Sequence, residues 1–381
     1  MRAHPIKVCL IADMLEEHFP SMDLFPEMLN EFLPRVDCGI TTEVFRLPLR
    51  KRFARVLGFR LATSADRILG RQLDYRVALA KHSGADIYHV LDHSYAGVVN
   101  SLPASRTVVT CHDRDTFRVL RPGGWTLRAP VLRPLARITY RGLKSAARIV
   151  CDSQTIEREL VEQEGFPREK ISVIPPGVHP ALLRETERET IRRVDNLLGP
   201  RQGPELLHVG STVQRKRIDT LLHTLAGVRQ RLPNARLIRL GGPFTPEQSR
   251  LLSELDLEDA VTVLPFLDRA GVAAVYRRAD LVVVTSEREG FGLPLIESLS
   301  TGTPVLARHG ATVAEVGGTA VEYVHGDDPQ KWTAAVIDLL SQKESSPSKW
   351  RARSEEGLAH SRQFTWEGHA RQLAELYRTI A

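Results

Sequence analysis

No stretch of the 381-residue sequence is apolar for long enough to cross a bilayer, which takes about 20 residues; the longest runs, near residues 8–12 and 281–285, fall far short. The amino terminus passes from charge almost directly into the strand-like VCLIAD, with neither the apolar core nor the small-residue cleavage site of a signal peptide. A cytoplasmic protein is expected. Cysteine is scarce, and Cys9, Cys38, Cys111 and Cys151 form no C-x-x-C pair and no zinc-ligand spacing. Three of the four fall at or in apolar strand-like segments, where a thiol behaves as a small hydrophobe, so no disulfide is expected. The G-x-G-x-x-G fingerprint follows none of the strand-like segments and there is no P-loop, which removes the main support for NAD binding and ATP hydrolysis. No cluster of carboxylates calls for a divalent metal. Internal repeats and low-complexity tracts are missing too. With 42% hydrophobic and 26% charged residues, the chain has the balance of a folded protein, and its length suits two domains.

Acidic residues are absent from two stretches. Residues 44–65 hold six basic and no acidic residues, and residues 116–151 hold eight and none. The formal net charge is +6, of which +5 lies in residues 1–190. Such bias suggests an anionic partner, either a phosphate-rich substrate or a membrane surface. Solvated surface arginines fit the same composition. Arg133, Arg137, Arg141, Lys144 and Arg148 recur every three or four residues, so a helix would align them along one side. Leu132, Leu135, Ile138 and Leu143 supply apolar positions, and Trp125 and Tyr140 suit an interface. A buried helix whose arginines reach out to solvent explains this pattern equally. Nucleic acid is not an expected partner, since no recognised motif accompanies the charge.

Short β-branched runs alternate with longer amphipathic stretches, the pattern of parallel strands joined by helices. Strands are predicted at residues 6–11, 43–47, 87–91, 106–111, 148–151 and 171–174, with helices including 25–32, 65–83 and 153–164. Residues 180–203 are charged and strand-poor and read as a linker with one helix in it. Strands resume at 205–210, 236–241, 261–264, 280–285, 304–307 and 320–323, with helices at 219–231, 246–255, 270–278 and 294–300. The fold class is α/β, with two open sheets. Two such domains side by side create a cleft lined by strand carboxyl ends, where ligands usually bind.

Residues 280–307 read DLVVVTSEREGFGLPLIESLSTGTPVLA: a strand, a glycine-bearing loop, and a helix opened by Pro294. Gly290 and Gly292 let the loop backbone approach a ligand closely. The amides of Phe291, Gly292 and Leu293 then sit at the positive end of a helix, a site for a diphosphate. Glu289 and Glu297 are spaced E-x7-E. First-turn acids also simply complement a helix dipole, so the pair has a purely structural reading.

EGFGLPLIESLSTGTPV resembles EGFGLPxxEAxAxGxPV, the E-x7-E signature of the retaining glycosyltransferases of family 4, which have the GT-B fold. By that resemblance Glu289 contacts hydroxyls of the transferred sugar, Glu297 the ribose of the nucleotide, and the loop from Gly290 to Leu293 the sugar and phosphate. HVGSTVQRKRIDTLL resembles the segment that supplies the family's diphosphate-binding cations, with Arg215 and Lys216 as its basic pair. Ser211 stands where an Arg is common, which makes Arg215 more important; two exposed charges near a helix start are the plain alternative. TVVTCHDRDTFR is similar to the family strand ending in His-Asp and implies a substrate contact for His112, although a lone His is often structural. ARIVCDSQTIERELVEQEGFPREKISVIPPGVHP is similar to the run from ADxIIxxS to VIPNGVD, with Pro176 for Asn and His179 for Asp. Residues 364–381 look like the family's final helix.

The resemblance implies two Rossmann-like domains facing across a cleft: 1–182 for the acceptor, completed by 364–381, a linker at 183–203, and 204–363 for the donor. It covers most of residues 105–381 well. The first hundred residues match in pattern only, because the family's glycine-rich N-terminal loop is replaced by DMLEEHFP. The implied reaction is metal-independent transfer of a hexose, mannose favoured, from a nucleotide diphosphate sugar to a glycan or lipid-phosphate-linked acceptor in polysaccharide biosynthesis. GDP-mannose is the favoured donor and UDP-sugars stay open. The implied mechanism is front-face: the departing phosphate helps to deprotonate the acceptor, Arg215 and Lys216 stabilise charge, and closure about the linker excludes water. A sugar-nucleotide 2-epimerase of the same architecture, or a non-catalytic nucleotide-sugar-binding subunit, are the alternatives. Peripheral contact with the inner face of the membrane follows from the basic first half.

Overall fold

The computed structural model describes residues 4–17, 19–53, 59–82, 84–120 and 129–381. The chain forms two compact units, Met1–Gly177 with Trp366–Ala381, and Val178–Thr365.

In the first unit, β1 (Ile6–Ile11), β2 (Ile40–Phe45), β3 (Ile87–Val90), β4 (Thr107–Cys111), β5 (Arg148–Cys151) and β6 (Ile171–Val173) form a parallel sheet ordered β2-β1-β3-β4-β5-β6. Cys9, Ile11, Val90, Val109, Cys111, Ile149 and Cys151 share one core cluster, as the alternation of a strand requires. Cys38 is exposed. β2 begins earlier than predicted because Ile40 pairs opposite Ile6; as an edge strand it lacks a continuous apolar run. The helix Pro20–Val36 is longer than its predicted core, since Pro26 and Pro34 lie within it and break the sequence signal. The single helix predicted at 65–83 is divided into Phe59–Leu69, a π-helical turn at Gly70–Asp74, and Tyr75–Ala80. The final helix, Trp366–Arg378, packs on Pro20–Val36 with Trp366 edge-on to Phe25 at 5.2 Å. Tyr377 also meets His89 on β3 at 2.6 Å.

In the second unit, β7 (Glu205–Val209), β8 (Arg236–Leu240), β9 (Val261–Val263), β10 (Leu281–Val284), β11 (Val305–Arg308) and β12 (Glu322–Val324) form a parallel sheet ordered β12-β11-β10-β7-β8-β9. Both faces are covered: Leu206, Leu237, Leu281, Val283 and Leu306 belong to one core cluster, and Leu207, Ile238, Val282, Val284 and Val305 to the other.

The predicted linker is where the structure departs most from the sequence reading. Residues 183–203 belong to the second unit, and the helix Arg188–Leu198 buries Val194 and Leu198 in its core. Arg278 ties the segment down by donating to Asp195 Oδ1 (2.5 Å) and the Gly199 carbonyl (2.8 Å). The charged exterior of this helix concealed its narrow apolar stripe.

Each sheet reverses its winding once, between β1 and β3 in the first unit and between β7 and β10 in the second. At such a reversal the loops leave in opposite directions and open a crevice for a ligand.

Candidate functional site

At the second reversal the loops after β7 and β10 are bound together. The Gly210 amide donates to the Leu240 carbonyl at 2.8 Å. Gly241 has a positive φ of 139°, and a Cβ there would lie 1.9 Å from the Gly210 oxygen, so only glycine permits this approach. The loop then makes one tight turn at Gln214–Lys216. Thr285 donates its hydroxyl to the Lys216 carbonyl (2.8 Å), and the Glu287 amide donates to the Arg215 carbonyl (2.7 Å).

These bonds set Lys216 Nζ 2.6 Å from Glu289 Oε1 and Arg215 Nη1 3.2 Å from Glu289 Oε2. Arg215 also donates to the Arg288 carbonyl at 2.8 Å. Burial alone would raise the Glu289 carboxyl; the Lys216 and Arg215 charges outweigh it and hold its pKa below the ordinary value. Two cations against one carboxylate leave the cluster net positive. It precedes the helix Leu293–Ser300, whose N-cap Gly292 takes a φ of 94° and whose second residue is Pro294. Phe291 is buried edge-on to Phe364 at 5.5 Å, which anchors the loop by its side chain. Gly290 and Leu293 are half-buried, and Ser211 is exposed.

Glu297 lies a turn into this helix, apart from the cation cluster. It is buried and its Oε2 accepts a hydrogen bond from the Tyr276 hydroxyl at 2.7 Å. Burial raises its pKa above the usual value, against the opposing effects of Tyr276 and Arg269. Tyr276 was not singled out in the sequence; its signal is a tyrosine within an apolar helical stretch, whose hydroxyl needs a partner once buried. Arg239 was missed as well. It is fully buried on β8, donates to the Gly210 carbonyl at 3.0 Å, and stacks on Phe244 at 4.7 Å, while burial lowers its pKa to about 10.

His112 belongs to the first unit, directly after β4. Its Nδ1 meets Asp152 Oδ2 and its Nε2 meets the Leu91 carbonyl, both at 2.7 Å. Both partners are acceptors only, so both ring nitrogens must donate. The ring is therefore an imidazolium: burial would lower its pKa, but Asp152 outweighs this and raises it to about 9. These bonds use both ring N–H groups internally, unlike the substrate contact expected from the sequence.

The basic stretches are also less one-sided in space than in sequence. Arg46 pairs with Asp23 (2.9 Å) and Arg52 with Asp74 (2.6 Å). On the helix Ala129–Ser145, Arg137, Arg141 and Lys144 are exposed, whereas Arg133 donates to the Val119 carbonyl at 3.1 Å. Tyr140 is turned inward between Phe117 and Phe166 and donates to the Glu164 carbonyl at 2.6 Å, so it does not serve an interface. Arg55 and Trp125 lie outside the described residues. Among the described residues no helix is long and apolar enough to cross a membrane.

Two Rossmann-like units, each with one winding reversal, and a basic loop set against an E-x7-E helix define the GT-B class of fold. Sucrose-phosphate synthase from Thermosynechococcus elongatus superposes with a TM-score of 0.75 at 20% identity, covering 98% of this chain and 99% of that one. Anabaena HepE, solved with UDP and glucose, gives 0.72 at 19%, covering 98% and 100%. The family description Glycosyl transferases group 1 matches residues 190–357, and Glycosyltransferase Family 4 matches residues 28–182. D-inositol 3-phosphate glycosyltransferase of Thermobispora bispora is 34% identical over 288 residues, 71% of this chain and 64% of that protein. The protein of the same name from Kineococcus radiotolerans is 30% identical over 328 residues, 79% and 73% of the two chains. The chain spans 64% and 56% of the lengths of the Thermobispora and Segniliparus rotundus relatives. It belongs to the group 1, family 4 glycosyltransferases.

Proposed function

We propose that the protein is a retaining hexosyltransferase that binds a nucleotide diphosphate sugar in the second unit and an acceptor hydroxyl in the first. The observation that carries this reading is the Arg215–Lys216–Glu289 cluster at the β7/β10 reversal, beside a helix N-terminus. Arg215, Lys216 and the amides from Phe291 to Leu293 take the diphosphate, Glu289 takes hydroxyls of the transferred sugar, and Glu297 takes the ribose. Charge grows on the β-phosphate as the glycosidic bond breaks, and fixed cations stabilise it more in the transition state than in the ground state. The departing phosphate oxygen then accepts the proton of the acceptor hydroxyl on the same face of the sugar, which retains the anomeric configuration. Neither glutamate acts as nucleophile, because Glu289 is engaged by two cations and Glu297 by Tyr276.

GDP-mannose is the first donor to offer, with mannose as the transferred hexose. UDP-sugars are the second reading, favoured by the UDP and glucose found in the Anabaena neighbour. The exposed Arg137, Arg141 and Lys144 support an acceptor anchored by a lipid phosphate, met by peripheral contact with a cytoplasmic membrane face in polysaccharide assembly. The test is thermal unfolding against GDP, UDP, ADP and their sugar conjugates. A ligand at 100 times its Kd adds about 2.7 kcal/mol of stability, a clear rise in Tm. No shift with any of them refutes donor binding.

A further inference from the structure

The winding reversal of the first sheet, between β1 and β3, carries chemistry opposite to that of the second. β1 and β3 pair in register with Ile11 opposite Val90, and two residues beyond each stand Asp13 and Asp92. Both oxygens of Asp92 accept from Ser94, its amide at 2.7 Å and its hydroxyl at 2.8 Å. Beside them Glu17 accepts from the Tyr95 hydroxyl (2.8 Å) and pairs with Arg71, which the π-helical turn presents. His93 Nδ1 lies 3.4 Å from Asp92 Oδ1, while its Nε2 is 3.1 Å from Thr116 Oγ1.

Two features point to a ligand. First, Asp13 Oδ2, His93 Nδ1 and, beyond β5, Asp152 Oδ1 have no hydrogen-bond partner among the described residues, although Asp13, His93 and Asp152 are 4%, 4% and 3% exposed. A buried polar atom without a partner costs free energy until a ligand group or water fills it. Second, the cationic charges described here are opposed by carboxylates, Arg71 by Glu17, His112 by Asp152, Arg114 by Glu159 and Arg46 by Asp23, although Arg46 Nε and Arg67 Nε have no hydrogen-bond partner among the described residues. The carboxylate oxygens left over need hydrogen-bond donors. A phosphate dianion has none to give and is repelled by the carboxylates, whereas a hydroxyl group donates and accepts. Six residues after Asp13, Phe19 is 46% exposed, an apolar ring of the kind that covers the C–H side of a sugar.

Resting on the transferase reading above, we propose that Asp13, Asp92 and His93 at the carboxyl ends of β1 and β3 bind the reacting ring of the acceptor through its hydroxyls, and that this ring is a neutral polyol or sugar bearing no phosphate. Any anionic anchor then sits elsewhere on the acceptor. The electrostatics of the pair agree: burial, then Asp92 and Glu17, push Asp13 above the ordinary carboxyl range, while His93, His112 and Arg71 overcome burial at Asp92 and hold it at about 2.

The experiment is saturation-transfer NMR on the full chain with glucose, mannose and myo-inositol, the phosphate monoester of each, and glucosamine. GDP and UDP are measured in parallel. At least one neutral compound is expected to saturate, its phosphate ester to bind at least tenfold more weakly, and Asp13→Ala to abolish the signal. Phe19→Ala, at an exposed position that leaves folding intact, is expected to weaken it several-fold. Equal or stronger binding of the phosphate esters, binding of glucosamine alone, no saturation by any neutral compound, or a neutral signal unchanged in both variants overturns the proposal. Nucleotide saturation without sugar saturation sinks only this inference. Sugar saturation without nucleotide saturation sinks the transferase reading and leaves the hydroxyl site standing.

Discussion

His112 offers the most quantitative test of how the first unit is held together. Its imidazolium bridges Asp152 beyond β5 and the Leu91 carbonyl beyond β3, so the charged ring joins the ends of neighbouring strands. A rise from 6.5 to about 9 corresponds, at 1.36 kcal/mol per pKa unit, to about 3 kcal/mol of stability. The folded-state pKa is raised, so this contribution is complete below the unfolded value near 6.5 and is lost as pH rises through about 9. The perturbation is His112→Gln, which keeps a polar side chain but cannot carry the charge. The assay is urea unfolding of wild type and variant at pH 6 and pH 10, read on the transition that reports Trp366, which packs against Phe25 in the same unit. Taking the difference between the two proteins at each pH cancels every other titrating group. The wild-type advantage should shrink by about 3 kcal/mol between pH 6 and pH 10. A pH-independent difference would show that the ring is neutral. Unchanged stability with lost turnover would return His112 to the substrate contact expected from its sequence context.

The other predictions concern the second unit and the basic helix. Lys216→Ala should lower kcat about 100-fold while raising nucleotide Kd much less, because leaving-group charge grows only on the way to the transition state; steady-state kinetics beside calorimetry separate the two, and equal effects would remove the role. Glu297→Ala should weaken nucleotide binding by about 1.5–3 kcal/mol, the worth of hydrogen bonds to a charged group, and titration with GDP and UDP reads this directly. Reversing Arg137, Arg141 and Lys144 to Glu should release the protein from anionic vesicles, since each basic residue contributes about 1 kcal/mol near such a surface. Sedimentation that does not change, or that is absent in the wild type, refutes the membrane contact.

How much of this was legible follows from what a local pattern can encode. The strands were readable because buried parallel strands are short β-branched runs whatever surrounds them; β1 and β5 fall at the residues predicted for them. The E-x7-E loop was readable because proline, two glycines and two glutamates in one short segment leave few backbone alternatives. What the sequence concealed was long-range. Tyr276 and Glu297 are 21 residues apart, and Arg46 meets Asp23 across 23 positions, so neither partner advertises the other. The helix Arg188–Leu198 read as a linker because only Val194 and Leu198 face inward.

Charge is where a linear reading misleads most, and the first unit shows why. Its basic excess suggested a phosphate in the substrate, yet net charge counts residues without asking where their side chains end. At the β1/β3 reversal Arg71 is taken by Glu17, and two buried polar atoms, Asp13 Oδ2 and His93 Nδ1, have no hydrogen-bond partner among the described residues. The surplus cations lie instead along one face of the helix Ala129–Ser145, exposed. A binding crevice is decided by which polar atoms are left over after the fold has satisfied itself, and at this reversal they include a carboxylate oxygen of Asp13. The sheet whose sequence is more basic therefore presents the more acidic crevice. The second unit, nearly neutral in sequence, concentrates Arg215 and Lys216 around a single glutamate. On the function proposed above, the two reversals divide the work that a transfer between an anionic donor and a hydroxylated acceptor demands: one would neutralise a leaving phosphate, the other would supply acceptors for hydroxyl protons.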